Sequence, residues 1–128
     1  MMTNKQTILV ISEDCALFKQ LEDDLLMNGY RVQRAQSVDA RLKSIIGRLN
    51  PDLIVIDPEV PSMKGLELSL LIRQWTPVPI LMLSIDVEQK REARILDLNA
   101  ADYLSEPLDI KVITARINNL LSLSPSGL

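Results

Sequence analysis

Strand-length apolar runs alternate with helix-spaced apolar positions along the whole chain. Ile8-Leu-Val-Ile11, Leu53-Ile-Val-Ile56 and Ile80-Leu-Met-Leu83 are uninterrupted, as expected of parallel strands covered on both faces. Tyr30 to Ala35 has shorter strand character, and Ala101-Asp-Tyr-Leu-Ser-Glu-Pro-Leu-Asp-Ile110 reads as a short strand, a tight turn and a helix start. Between these runs, Leu17, Leu21 and Leu25, with Phe18 alongside, keep helical spacing up to Gly29, a residue suited to ending a helix. Ser37 is placed to cap a second helix with Val38, Leu42, Ile45, Ile46 and Leu49 on its inner face, closed by Asn50-Pro51. A leucine-rich helix follows to about Trp75, Glu88 to Leu98 reads as a polar-faced helix, and Asp109 caps a last helix carrying Val112, Ile113, Ile117, Leu120 and Leu121.

Five strands, each followed by a helix, predict an α/β domain: a doubly wound, five-stranded parallel sheet with right-handed crossovers. In such sheets ligands bind outside the carboxyl ends of the strands. Those ends carry Ser12, Glu13 and Asp14 after the first strand, Asp57 after the third, Ser84 after the fourth, and Ser105 with Glu106 after the fifth. One rim therefore gathers acids and hydroxyls.

Composition narrows what that rim can do. The chain has 128 residues, 47% hydrophobic and only 3% aromatic, enough for one aliphatic core. A formal net charge of −3 gives no overall electrostatic footprint for nucleic acid or an anionic membrane. No run approaches a transmembrane length and the N-terminus lacks signal-peptide layout, so a cytoplasmic location is expected. The single cysteine, Cys15, excludes an internal disulfide. Histidine is absent, which removes His-dependent nucleophile pairs and His-ligated zinc and leaves oxygen donors suited to a hard cation.

ILVISED, PDLIVIDPEVPSMKG, VPILMLS and AADYLSEP, in that order, resemble the receiver domain of two-component response regulators, with the CheY-like, flavodoxin-like (βα)5 fold. The resemblance spans roughly residues 7–122, and four motifs agreeing in order and strand-end context make it specific. Asp102-Tyr103 and Ala115-Arg-Ile117 look most like the OmpR/PhoB class, whose receivers usually precede a DNA-binding domain. The expected layout is a receiver over residues 1–122 and a tail or linker start over 123–128. The resemblance implies Asp57 as acceptor of a phosphoryl group from a histidine kinase. It implies Mg²⁺ held by Glu13, Asp57 and the Glu59 carbonyl, and Ser84 with Tyr103 as the switch pair. It further implies a homodimer through the face of the fourth predicted helix, fifth strand and last helix, whose mixed charges include Lys90, Asp97 and Lys111. Asp102 and Arg116 match the ion-pair pattern, while Val112 stands where an acid is usual, so one pair is missing. DNA contact would belong to an output domain, and no membrane role is implied.

Several positions depart from the family pattern. Glu106 stands where the family has a lysine that caps a phosphoryl oxygen. A carboxylate about 4 Å from another anion, at an effective dielectric near 20, means about 4 kcal/mol of repulsion in place of attraction, as an upper guide. Ser12 replaces the first acid of the usual pair, leaving Glu13 as the matching acid. Ile85 is bulkier than the residue usual after Ser84, and Pro58 deletes an amide donor next to Asp57. The resulting expectation is a degenerate site, weakly phosphorylated or working independently of phosphorylation. Three classes of activity stand beside one another: a conventional phosphorylation switch, a protein-interaction or dimerisation module, and a small metal-dependent hydrolase, which has no motif beyond the acidic rim. Plainer roles are open too: Asp14 as a first-turn acid at a helix start, Asp57 as a turn aspartate, and Glu106 as a solvated loop residue.

Overall fold

The computed structural model describes residues 5–36, 40–57, 65–83, 102–104 and 108–122. In chain order the elements are β1 (Thr7–Ile11), α1 (Cys15–Met27), β2 (Arg31–Ala35), α2 (Ala40–Leu49), β3 (Leu53–Ile56), α3 (Gly65–Arg73), β4 (Ile80–Leu83), β5 (Asp102–Leu104) and α4 (Ile110–Ser122). The strands form one parallel sheet in the order β2-β1-β3-β4-β5. The expected doubly wound α/β domain is therefore present. The segment Glu88 to Leu98, read above as a helix, lies outside the described residues.

The uninterrupted apolar strands serve two cores at once, because alternate side chains point to opposite faces. Leu9, Ile11, Ile54, Ile56 and Met82 pack with Leu42 and Ile46 of α2 and Leu68 and Ile72 of α3. Ile8, Val10, Val55, Leu81 and Leu83 pack with Leu21 and Leu25 of α1 and Ile113, Ile117 and Leu121 of α4. Fully burying each such side chain contributes about 1.5–3 kcal/mol, so the central strands tolerate no polar interruption. Along α4 the expected inner positions hold except Val112, which is 45% exposed. It precedes the buried stripe at Ile113 by one position, about 100° round the helix.

Local signals fix the ends. Tyr30 N–H donates to Leu25 O at 3.2 Å and Gly29 N–H to Leu26 O at 3.0 Å, the paired bonds of a Schellman ending. They require the left-handed backbone that Gly29 adopts at φ 88°. Asp109 caps α4 as expected, its Oδ1 accepting from Lys111 N–H at 2.9 Å. The leucine-rich helix stops at Arg73, short of the expected Trp75. Beyond it Trp75 N–H donates to Ile72 O at 2.8 Å, a tightened last turn. The Arg73 guanidinium donates to the carbonyls of Thr76 and Val78 at 3.1 and 2.7 Å.

Candidate functional site

After β1 the chain continues on one side of the sheet with β2; after β3 it continues on the other with β4. The reversal falls between β1 and β3, the position where α/β sheets open a crevice at their carboxyl ends. Ser12 and Asp57 stand at those two ends. Each extends its strand by one bond: Ser12 N–H donates to Ala35 O at 3.0 Å and Asp57 N–H to Ile11 O at 2.9 Å. Sheet pairing thus places the two side chains against each other, across 45 residues of sequence.

Their contact is direct. The Ser12 hydroxyl donates to Asp57 Oδ2 at 3.0 Å, with Ser12 fully buried and Asp57 only 5% exposed. The same Ser12 oxygen accepts Asp14 N–H at 3.1 Å. Asp14 accepts Leu17 N–H at 3.0 Å and is the N-cap of α1, the helix-start role anticipated for it. Glu13 is exposed on the same rim. On the outer side, Arg34 Nε donates to Ser12 O at 3.0 Å. The Arg34 guanidinium also stands 3.5 Å from Cys15 Sγ and 5.3 Å from the centre of the Phe18 ring.

Glu13 and Asp57 are hard oxygen donors at adjoining strand ends, and they fit Mg²⁺ in kind. Glu59, whose carbonyl was expected to complete the set, lies outside the described residues, as do Ser84, Glu106 and Asp97. Tyr103 is half-buried against the α2–α3 core, opposite Met82 in β4. Asp102 opens β5 opposite Leu81, and Arg116 is exposed on α4. The structure therefore brings Ser12 and Asp57 into contact, holds Glu13 on their rim and sets Tyr103 two strands from Asp57.

Reading the sequence missed a second polar site. Asp24, in the buried stripe of α1, accepts Lys111 Nζ of α4 at 2.6 Å, its side chain only 10% exposed. Lys111, grouped above with the charges of the prospective dimer face, ties α4 to α1. The Lys111 ammonium, and after it the Thr114 hydroxyl, hold the Asp24 carboxyl below its ordinary value of 3.8. Among the described residues, Asp24 Oδ2 and Thr114 Oγ1 are buried without a partner of good hydrogen-bond geometry, so Lys111 is the firmer attachment. An acid three residues after Leu21, on the apolar stripe, was the signal available. Nearby, the Tyr30 hydroxyl donates to Asn118 Oδ1, and burial raises the Tyr30 pKa.

Comparison with known proteins now places this architecture. Residues 8–118 match the response regulator receiver domain. The chain belongs to that family, as its four motifs implied. It is 34% identical over 116 residues to the KDP operon transcriptional regulatory protein KdpE of Escherichia coli (strain K12), covering 91% of this chain and 50% of that protein. It is 34% identical over 115 residues to the response regulator MprA of Mycobacterium sp. (strain KMS), covering 89% and 50%. These relatives are regulators of the OmpR/PhoB class, and the chain spans about half their length. In fold it is similar to a CheY-like receiver domain protein from Methanospirillum hungatei JF-1, with a TM-score of 0.82 at 22% identity over 93% of this chain and 95% of that one. Among the described residues, no helix is long and apolar enough to cross a membrane.

Proposed function

We propose that this receiver works at a degenerate acceptor site, where Asp57 is phosphorylated weakly or dispensably and the domain acts mainly by binding other proteins. The observation that supports this reading is the buried bond from the Ser12 hydroxyl to Asp57 Oδ2. A neutral donor occupies a lone pair of the carboxylate that must attack phosphorus, at the position where the family has an acid. Such a bond to a charged acceptor contributes about 1.5–3 kcal/mol, and part of it would be given up on phosphorylation. Glu106, in place of the family lysine, would add repulsion toward a phosphoryl group. Glu13, Asp57 and the Glu59 carbonyl would hold Mg²⁺, which when bound neutralises charge on a transferring phosphoryl group.

In an intact regulator the domain would pass its state to an output domain, a transcriptional one in keeping with the names of its relatives. It would take its input from a histidine kinase or another signalling protein. Homodimerisation would use the face that includes β5 and α4, with Asp97, Asp102 and Arg116; DNA contact would fall outside this domain. This is a regulator's role and requires no substrate turnover of its own. A conventional switch is the competing reading, favoured by the acceptor carboxylate standing at the end of β3 with Glu13 on the same rim.

Intact mass after incubation with acetyl phosphate and Mg²⁺, with Asp57→Ala in parallel, separates the two. The degenerate reading expects little or no phosphoryl adduct on protein shown to be folded. A stoichiometric adduct that disappears in the variant would establish the conventional switch.

A further inference from the structure

The charge of the chain is unevenly placed. Residues 31–49 hold five of its fourteen basic residues and one of its seventeen acids, a local charge of +4 in a chain of −3. That acid, Asp39, lies outside the described residues. Folding puts this segment at the sheet edge as β2 and α2. Between the two elements runs a hollow of about 520 Å³, lined by Arg34, Gln36, Arg41, Ser44, Ile45 and Arg48. A second hollow of about 320 Å³, lined by Gln33, Leu49 and again Ile45 and Arg48, continues it. Among the described residues no acid lines either one.

Three features select the kind of ligand. Arg41, Ser44, Ile45 and Arg48 follow helical spacing, so Arg41 and Arg48 share one stripe of α2, their backbone positions about 10 Å apart along the helix. Ile45 and Leu49 are half-buried against the core beneath them, giving the groove an apolar floor. The opposite wall is an edge strand. Arg31 N–H and Ala35 C=O bond inward to Gln6 and Ser12, so by two-residue alternation Val32 and Arg34 direct their backbone groups outward. A simple anion would use the arginines and leave the floor and the strand edge idle. An extended peptide with acidic and apolar residues in alternation uses all three.

We propose that the β2–α2 groove binds an extended acidic segment of a partner protein, with its carboxylates toward Arg41 and Arg48 and an apolar side chain over Ile45 and Leu49. This names a partner chemistry for the interaction reading above and rests on it in part. Its test reads peptide binding directly, whereas the acetyl phosphate experiment reads Asp57, so each can fail alone. Arg34 lines the groove and donates to Ser12 O, so an occupant would sit one residue from the acceptor site.

The probe is a fluorescein-labelled Glu-Val-Glu-Leu-Glu-Val-Glu peptide, followed by anisotropy against the full chain. Saturable binding is expected, weakened about tenfold by Arg41→Gln with Arg48→Gln and weakened by added salt. Lys19→Gln on α1, which removes one charge elsewhere, should leave it unchanged. Thermal melts verify that each variant is folded. No saturation by about 1 mM protein, or equal affinity in the double variant, would overturn the proposal. So would equal competition by pyrophosphate or by a DNA duplex, which would give the groove to a simple anion or to nucleic acid.

Discussion

The Ser12 hydroxyl and the Asp57 carboxylate, 45 residues apart in sequence, meet at 3.0 Å across the ends of β1 and β3, with almost no access to water. Removing the hydroxyl leaves a buried carboxylate short of one donor. Ser12→Ala is therefore expected to destabilise the fold by about 1–3 kcal/mol, read as a lower denaturation midpoint at unchanged slope. A loss below a few tenths of a kcal/mol would mean the bond does little in solution.

Ser12→Asp sets a second carboxylate against the first. Without a divalent ion the like charges repel; with one, the native state gains through binding. The variant should melt below wild type in EDTA and rise more than wild type on adding Mg²⁺. Equal Mg²⁺ shifts in the two proteins would argue that Ser12 does not govern the cation site.

Glu106→Lys puts a lysine where the family pattern has one. If repulsion by Glu106 limits phosphorylation, acetyl phosphate should give more adduct in this variant than in wild type. No gain would move the cause to Ser12, Ile85 or Pro58.

Asp24 makes a pH prediction. Its carboxyl is held below 3.8, chiefly by Lys111, so its contribution to stability is complete above that pH and fades as acid titrates it through the lower folded-state value. The stability difference between wild type and Asp24→Asn should be flat from neutrality to about pH 4 and shrink below it. The difference at neutral pH should be modest, because Lys111 is 81% exposed. A difference that grows in acid would contradict the assignment.

Gly29 holds φ 88° at the end of α1, and beyond its chain neighbours no atom of the described residues comes within 4 Å of the place a Cβ would take. Gly29→Ala is thus a backbone test without a clash. A loss of about 1 kcal/mol is expected, measurable by urea denaturation; an unchanged midpoint would show that the Schellman ending tolerates a side chain.

Much of this domain was legible before folding, for reasons tied to particular residues. Ile8–Ile11, Leu53–Ile56 and Ile80–Leu83 have no polar break, and runs of that length between turn residues suit strands covered on both faces, so the layered α/β architecture followed. Gly29 and Asp109 marked helix ends because their chemistry acts on the nearest turns. Asp57 could be placed at a strand end from its position after Ile56 alone.

Tertiary structure decided the relations between distant residues. Leu21 and Asp24 share one stripe of α1, and only the arrival of α4 turns an acid there into a bridge to Lys111. Ser12 reads in sequence as a missing acid; in the fold it is a donor to Asp57, because parallel pairing brings the ends of β1 and β3 side by side. Arg41 and Arg48 are two surface charges until the edge position of β2 gives them a facing wall. Apolar periodicity is a property of consecutive residues and survives in the one-dimensional chain. A hydrogen bond or a groove depends on distance in space, which only the packed sheet sets.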